Sequence, residues 1–195
     1  MTTTPPKSTS KSLLLPLCLS ALFLSACATQ GVPADTPSAR PAPVASTAQV
    51  ADLAALQQEL RTALGSIDGA EIVAAPSAAE LHLRIPVSNG FGSGSAELRP
   101  ALTRALESLL PAFVRHPEAA LHIVGHTDSI GSEMHNLQLS IKRGEAVMEY
   151  LRSGGVALDR MSADGKGEAE PIADNAQESG RTRNRRVEIF VRPKD

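Results

Sequence analysis

Apolar residues recur at helical spacing in three segments of the chain. Leucines and other apolar residues appear at every third or fourth position in residues 49–64, 98–113 and 136–153. This spacing places them on one stripe of an α-helix, so three amphipathic helices are predicted. Pro111 lies late in the second helix and is expected to kink or end it, because proline removes a backbone donor and clashes with the preceding turn.

Strand-like alternation of apolar and polar residues separates these helices. It is clearest in "LHLRIPV" at residues 81–87, where every second side chain would face a core. Further strands are predicted at residues 71–74, 121–126, 160–163 and 185–191. The stretch "GKGEAEPIADNAQESGRTRN" has no apolar period and is predicted to be a long polar loop. Strands that alternate with helices indicate an α+β fold, with a mixed sheet and helices packed on one face.

A basic and then apolar segment opens the chain. Lys7 and Lys11 precede "LLLPLCLSALFLSA", a run that is too short and too broken by Pro16 to cross a bilayer comfortably. This pattern is typical of an export signal, here residues 1–26. The end of the run, "LSAC", resembles the lipobox of bacterial lipoproteins, in which the cysteine becomes the acylated first residue. Cys27 is therefore the predicted lipidation site, with palmitate among the expected acyl groups; an ordinary signal with an incidental cysteine is the alternative.

Residues 27–48 are predicted to form a tether. Proline, alanine, serine and threonine dominate them, without the apolar period that a packed core needs. In extended form, at about 3.1 Å per residue, the tether would reach on the order of 60 Å from a membrane. An aspartate at position 28 tends to keep known lipoproteins in the inner membrane, so Ala28 resembles the outer-membrane class. Residues 49–88 then supply a helix and strands joined to the main domain at residues 89–195.

Composition narrows the range of functions. Apolar residues make up 42% of the chain, but with no tryptophan, one tyrosine and four phenylalanines the core must be aliphatic. A formal net charge of −2 argues against nucleic-acid binding, so the basic "RTRNRR" is interpreted as part of a solvated loop. Once the signal that contains Cys18 is removed and Cys27 is lipidated, no cysteine remains for a disulfide or a metal.

An acid and a base fall where apolar residues are expected. On a helical wheel of residues 136–151, Asn136 and Arg143 lie about two turns apart on the apolar side, whereas Lys142 lies on the solvent side. Asp128 follows the strand that precedes this helix. A guanidinium near a core needs an anionic partner, because an unpaired buried charge is costly. Two interpretations remain open. Asp128 and Arg143 form a plain buried ion pair, or each keeps a face open and together they bind the ammonium and the carboxylate of a zwitterionic ligand.

Several separated motifs resemble one known family. "GHTDSIGSEMHNLQLSIKRG", "RMSADGKGEAEPIADN" and "GRTRNRRVEIFV" follow in the order and at the spacing of the OmpA-like peptidoglycan-binding domain. That family includes the carboxyl-terminal half of the outer-membrane protein OmpA, the peptidoglycan-associated lipoprotein and the flagellar-motor stator subunits. The resemblance extends over about residues 91–191, and it implies a β-α-β-α-β fold that binds peptidoglycan.

The resemblance also implies roles for individual residues. In the family, the acid of the "TD" pair and the arginine of "LSxxR" grip the amino-acid end of diaminopimelate in the peptidoglycan stem peptide. These positions match Asp128 and Arg143. The family asparagine that lines the same pocket matches Asn136, and an arginine of "NRRVE" that approaches the ligand matches Arg185.

Three positions depart from the family pattern. The aspartate that often follows the first phenylalanine is Gly92, the alanine after the helix arginine is Gly144, and the frequent aromatic of "GYGE" is Lys166. The missing acid is expected to weaken affinity or to shift ligand preference. Glycine costs up to about 1 kcal/mol against alanine in a helix, so Gly144 is expected to weaken the helix without removing Arg143.

Other chemistries have weaker support. His122 and His126 share a strand face with Asp128, but a catalytic zinc site needs three converging ligands with supporting contacts, so no metal or other cofactor is expected. Glu168 resembles an ordinary exposed or turn-capping glutamate rather than a general acid. The serines of "GSGS" lack the spacing of a nucleophile elbow, and no catalytic set can be assembled, so an enzyme is not expected.

The combined hypothesis is an exported outer-membrane lipoprotein whose domain faces the periplasm. It would bind peptidoglycan non-covalently and tie the membrane to the wall. One alternative is an assembly adaptor of an export or motility machine in the cell envelope, in which residues 49–64 recruit a protein partner. A less favoured alternative is a cell-wall hydrolase.

Replacing Cys27 with serine tests the anchor. The Cys27→Ser variant is expected to move from the membrane fraction to the soluble periplasm, because stable attachment requires acyl chains that this variant cannot carry. Cell fractionation followed by immunoblotting measures the distribution. Cys18→Ser, within the signal itself, is the matched control and should stay with the membrane; retention of Cys27→Ser in the membrane fraction would contradict the prediction.

Overall fold

A computed structural model of the protein describes residues 47–75 and 77–194. The predicted export signal at residues 1–26, the predicted lipidation site Cys27 and the tether up to residue 46 lie outside the described residues. These assignments therefore stay predictions. No helix in the described part combines the length and apolar character needed to cross a membrane.

Four α-helices and five β-strands make up the described chain. The helices are α1 (Thr47–Leu64), α2 (Pro100–Arg115), α3 (Glu133–Ser153) and α4 (Glu178–Asn184), with one 3-10 turn at Leu158–Arg160. The strands are β1 (Glu71–Val73), β2 (Leu81–Pro86), β3 (Ala119–His126), β4 (Met161–Gly167) and β5 (Arg186–Pro193).

The strands form one mixed sheet in the order β1-β2-β5-β3-β4. Only β3 and β4 run parallel among these pairs, and the other neighbours are antiparallel. Every second residue of the central strands, such as Leu83, Ile123 and Ile189, is fully buried in one apolar cluster with leucines of α1 and α2 and with Val147 of α3. The predicted α+β fold, with a mixed sheet and helices on one face, is confirmed.

Helix α1 is present as predicted and belongs to this core. Leu53, Leu56, Leu60 and Leu64 are all buried in the apolar cluster, and Glu59 forms an ion pair with an arginine of α2, with 2.6 Å between the charged atoms. Since the leucine stripe of α1 packs inside the domain, it is not free to recruit another chain.

The prediction of a long polar loop was wrong for two parts of residues 165–184. Strand β4 continues to Gly167, and α4 forms near the end of the segment. Helix α4 has no apolar stripe, so periodicity did not reveal it. Asn184, at the end of α4, is fully buried. It fixes the loop before the helix, because its Oδ1 accepts from the backbone N–H groups of Ile172 and Ala173 at 2.9 and 3.0 Å.

Helix α2 does not end at Pro111, which lies inside it, but continues to Arg115. The residues after the proline bury apolar side chains, and Phe113 is fully buried. Arg160 then joins this helix end to the start of β3, because its terminal nitrogens donate to the backbone oxygens of Phe113 and Ala119, both at 2.6 Å. Tertiary contacts therefore extend the helix past the position that local chemistry disfavours.

Helix α3 lies directly against β3 and β4 because three contact positions are glycines. A Cβ atom on Gly125 would lie 2.2 Å from the carbonyl oxygen of Ser140, and one on Gly165 would lie 2.2 Å from the amide nitrogen of Ile141. A Cβ on Gly144 would lie 2.7 Å from the carbonyl oxygen of Asp164. Gly144 therefore has a packing role that offsets its low helix propensity.

A methyl group at this contact is expected to destabilise the domain. Gly165→Ala should lower the free energy of unfolding by about 1–3 kcal/mol or more, because two backbones must separate to admit the new Cβ. Chemical denaturation followed by circular dichroism measures this. Gly65→Ala is the control, since its Cβ would meet no atom closer than 3.4 Å. If both variants lose the same free energy of unfolding, the close contact at Gly165 does not contribute to stability as proposed.

Candidate functional site

One end of the sheet carries a cavity of about 470 Å³ that brings together all four sequence-predicted site residues. Asp128, Asn136, Arg143 and Arg185 all line it. Strands β2 and β3 end here and β5 begins here, because β5 is antiparallel to both. Segments that are distant in sequence therefore meet at this end of the sheet.

Asp128 lies just beyond β3 with its carboxylate already engaged. Its Oδ1 accepts from the backbone N–H of Ile130 at 3.0 Å, which stabilises the turn before α3. Its Oδ2 accepts from Nη1 of Arg185 at 2.5 Å. Asp128 is only 8% exposed. A carboxylate has about four acceptor positions, so these two bonds leave capacity for a further donor.

Arg143 projects from α3 toward the opposite wall. Its Nε donates to the carbonyl oxygen of Ser95 at 3.0 Å, and its Nη2 lies 3.5 Å from the carbonyl oxygen of Gly92. The guanidinium carbon lies 5.0 Å from the ring centroid of Phe91, within the range of a cation–π contact. In the described part of the chain no hydrogen bond engages its Nη1.

The interpretation of Asp128 and Arg143 as a plain ion pair was wrong. Within the described residues the acid pairs with Arg185, and the nitrogens of Arg143 bind backbone carbonyls. The charges still influence each other. Burial lowers the pKa of Arg143, the negative charge of Asp128 raises it, and the positive charge of Arg185 lowers it further. The net pKa lies below its ordinary value, yet an arginine remains charged at neutral pH.

Arg185 is fixed by helix α4, which sequence analysis did not predict. Its Nη2 donates to Oε1 of Glu178 and to Oγ1 of Thr182, both at 2.8 Å. Burial alone would lower the pKa of Arg185, but the hydrogen bonds to Glu178 and Asp128 outweigh this effect and raise it. Arg185 therefore stays charged and holds the carboxylate of Asp128 in a set direction.

Asn136 supports the site from the first turn of α3. It is 2% exposed, and its Nδ2 donates to the carbonyl oxygen of Asp128 at 3.2 Å and to Oε2 of Glu168 at 2.5 Å. Ser132 caps this helix, since its Oγ accepts from the backbone N–H of His135 at 3.3 Å. Glu168, interpreted from sequence as an ordinary glutamate, is thus a partner of the site.

Phe91 is a second residue whose contact the sequence did not reveal. It is buried at 3% exposure under the guanidinium of Arg143. The available signal was its rarity, because the chain has only four phenylalanines and this one lies in a glycine-rich loop.

The histidines of β3 do not converge with Asp128. Nδ1 of His122 lies 2.9 Å from Oγ of Ser162, while Nε2 of His126 lies 3.6 Å from Oε2 of Glu188. Across residues 47–75 and 77–194, no group of three or more histidine, cysteine, aspartate or glutamate side chains is placed to hold a metal.

Glu188 anchors the polar side of the sheet beside the cavity. It is 4% exposed, and its Oε1 accepts from Nε of Arg186 at 2.7 Å and from Nε of Arg84 at 3.3 Å. Nε2 of His82 lies 3.0 Å from its Oε2. Arg186 directly follows Arg185, so this buried network fixes the start of β5 and with it the backbone from which Arg185 reaches Asp128.

The chain is similar to known proteins over the part that carries the site. Residues 90–185 match the model of the OmpA family. The chain is 37% identical to the probable lipoprotein YiaD of Escherichia coli over 57% of this chain and 51% of that protein. It is 43% identical to the peptidoglycan-binding protein ArfA of Mycobacterium tuberculosis over 52% of this chain and 31% of that protein. The match thus spans about half of one relative and about a third of the other.

A solved structure shows the same fold. The putative MotB like protein from Desulfovibrio vulgaris superposes with a TM-score of 0.62 at 28% identity, covering 76% of this chain and 97% of that one. The family resemblance inferred from the sequence motifs is confirmed.

The network around Glu188 predicts a loss of stability in acid. Burial alone would raise the pKa of Glu188, but the contacts with His126, His82 and Arg186 hold it well below its ordinary value. Its stabilising contribution is therefore complete above the unfolded-state pKa of about 4.3 and is lost as pH falls toward the folded-state pKa.

Glu188→Gln should therefore unfold more easily at pH 7, by about 3–5 kcal/mol, because it leaves buried cations without their acid. The deficit relative to the wild type should shrink below about pH 4. Denaturation curves at several pH values measure both effects. Glu145→Gln, an exposed glutamate on α3, is the control; a deficit that does not change with pH would contradict the assignment.

Proposed function

Because the chain carries an OmpA family domain at residues 90–185, we propose that its cavity binds peptidoglycan non-covalently through the diaminopimelate of the stem peptide. The observation that carries this proposal is the pair Asp128 and Arg143. They line one cavity with opposite charges and are not neutralised by each other. The relative ArfA, a peptidoglycan-binding protein, supports the same substrate class.

The two charges fit the zwitterionic end of diaminopimelate. Asp128 accepts hydrogen bonds from the ligand ammonium through its unused acceptor positions. Arg143 binds the ligand carboxylate with its terminal nitrogens, since Nη1 is unengaged within the described residues and the contact of Nη2 to Gly92, at 3.5 Å, is weak. Fixing both charges before binding lowers the cost of ordering them in the complex.

Two residues position these groups. Arg185 holds the carboxylate of Asp128 in place through its Nη1. Asn136 joins the Asp128 backbone to Glu168 and so ties the loop after β3 to the segment after β4. Relatives often carry an aspartate at position 92, where this chain has Gly92. The ligand ammonium therefore has one carboxylate fewer to bind.

The same proposal places the protein at the outer membrane. Acyl chains on Cys27 would hold the chain there, the tether would span the gap, and the cavity would face the wall from the periplasm. The relative YiaD, a probable lipoprotein, supports this arrangement. Membrane and wall would then be joined without a covalent bond.

Binding without catalysis is part of this proposal. The site groups are held by other protein groups: Asp128 by Arg185, and Asn136 by Glu168. This arrangement suits a fixed binding site. The adaptor alternative has less support, since the leucine stripe of α1 that was to recruit a partner is buried in the domain.

Titration with stem peptides tests the site. The wild type should bind the tripeptide that contains diaminopimelate and should bind the lysine tripeptide much more weakly, because lysine lacks the carboxylate beside the side-chain amine. Asp128→Asn and Arg143→Gln should each weaken binding about ten- to a hundredfold, the typical effect of losing a charged hydrogen bond. Isothermal titration calorimetry measures these affinities.

Lys142→Gln is the matched control, since Lys142 is exposed on the same helix. Equal affinity for the two peptides, or unimpaired binding by both site variants, would rule out the proposal. Purified sacculi incubated with the wild type should keep their mass; release of soluble fragments would instead support the hydrolase alternative.

A further inference from the structure

A second and larger depression, the arginine groove, adjoins the cavity. It has a volume of about 840 Å³, and four arginines line it: Arg84, Arg104, Arg183 and Arg186. Ser88 lines both the groove and the cavity. The two depressions are therefore adjacent at Ser88.

Two of these arginines are available to a ligand. Arg84 and Arg186 bind the carboxylates of Glu71 and Glu188. Arg104 and Arg183 are exposed, and within the described residues neither has a carboxylate at ion-pair distance. The groove thus offers two guanidinium groups that are not already neutralised by a salt bridge.

Hydrogen bonds connect the wall of the groove to the site. Oγ of Ser88 donates to the carbonyl oxygen of Thr182 at 3.1 Å. Thr182 lines the groove, and its Oγ1 accepts from Arg185, which lines the cavity. Arg183 and Arg185, two residues apart, therefore serve adjacent depressions.

Much of the groove comes from chain outside the matched OmpA family region. The turn after α1, at residues 66–69, and the end of β2 form one side, and both precede residue 90. The other side is helix α2 and the segment around α4. The groove is therefore a feature that the amino-terminal segment adds to the family domain.

We propose that the arginine groove binds the α-carboxylate of the D-glutamate that precedes diaminopimelate in the stem peptide. This inference rests on the proposed function, because the rest of the stem peptide lies near the groove only when its diaminopimelate is bound in the adjoining cavity. Arg104 and Arg183 pair with the carboxylate, and the hydroxyl and amide groups of the groove, such as Ser66, Asn89 and Ser108, bind peptide groups. The groove thereby selects a stem peptide with an acidic residue next to the diaminopimelate.

Two tripeptides that differ in one group test the groove. One carries the free α-carboxylate of D-glutamate, and the other carries the α-amide at the same position. The wild type should bind the acid form more tightly by about four- to twenty-fivefold, which corresponds to two exposed charge pairs at about two- to fivefold each. The preference should decline with added salt, since exposed pairs are screened.

The double variant Arg104→Gln/Arg183→Gln should bind both tripeptides equally, with an unchanged affinity for free meso-diaminopimelate. Arg192→Gln removes one positive charge from an exposed arginine outside both depressions and should keep the preference for the acid form. Calorimetric titration with the three ligands gives all of these affinities.

The outcomes separate this inference from the proposed function. If the wild type binds diaminopimelate but does not distinguish acid from amide, the groove proposal fails and the proposed function stands. The groove proposal also fails if the double variant still prefers the acid tripeptide over the amide, or if Arg192→Gln loses this preference equally. If the wild type binds none of the three ligands, the proposed function fails and the groove proposal fails with it.

Discussion

The contact of α3 with β3 and β4 is the constraint on which the site depends. Glycines at positions 125, 144 and 165 remove the side chains that would separate the helix from the sheet. Ser140 completes the contact, because its Oγ accepts from the backbone N–H of Gly167 at 2.8 Å. Asn136 and Arg143 lie on either side of this anchor along α3. The depth at which they enter the cavity follows from how closely the helix approaches the sheet.

Asp128 and Arg143 do not pair with each other, because each is held by other groups. Arg185 binds Asp128, while backbone carbonyls and the ring of Phe91 hold Arg143. A direct pair between Asp128 and Arg143 would use both charges internally and would have to be broken by a ligand. The observed arrangement instead orients each group and leaves acceptor and donor capacity unused. The proposed binding of a zwitterionic ligand requires two such charges with unused hydrogen-bonding capacity.

The amino-terminal segment is an integral part of the described domain. Helix α1 supplies four leucines to the core, and β2 pairs along six residues with β5, a central strand of the sheet. The family match at residues 90–185 contains neither of these strands. The segment therefore stabilises the frame that carries Arg185 and Arg186, and it also forms one side of the arginine groove.

The sequence by itself determined the elements whose apolar period is strong, namely α1, α2, α3 and the central strands. It also identified Asp128, Asn136 and Arg143, because polar residues at core-facing positions stand out against the period, and the motif resemblance added Arg185. Only the tertiary structure decided which of these side chains bind each other or other groups. The partners Asp128 and Arg185 are 57 residues apart, Arg143 and Ser95 are 48 apart, and Asn136 and Glu168 are 32 apart. Helix α4 and the groove also required the folded chain. Periodicity reports which face of an element is buried, whereas pairing between distant polar groups depends on the sheet order and on the separation of packed layers, which no local pattern encodes.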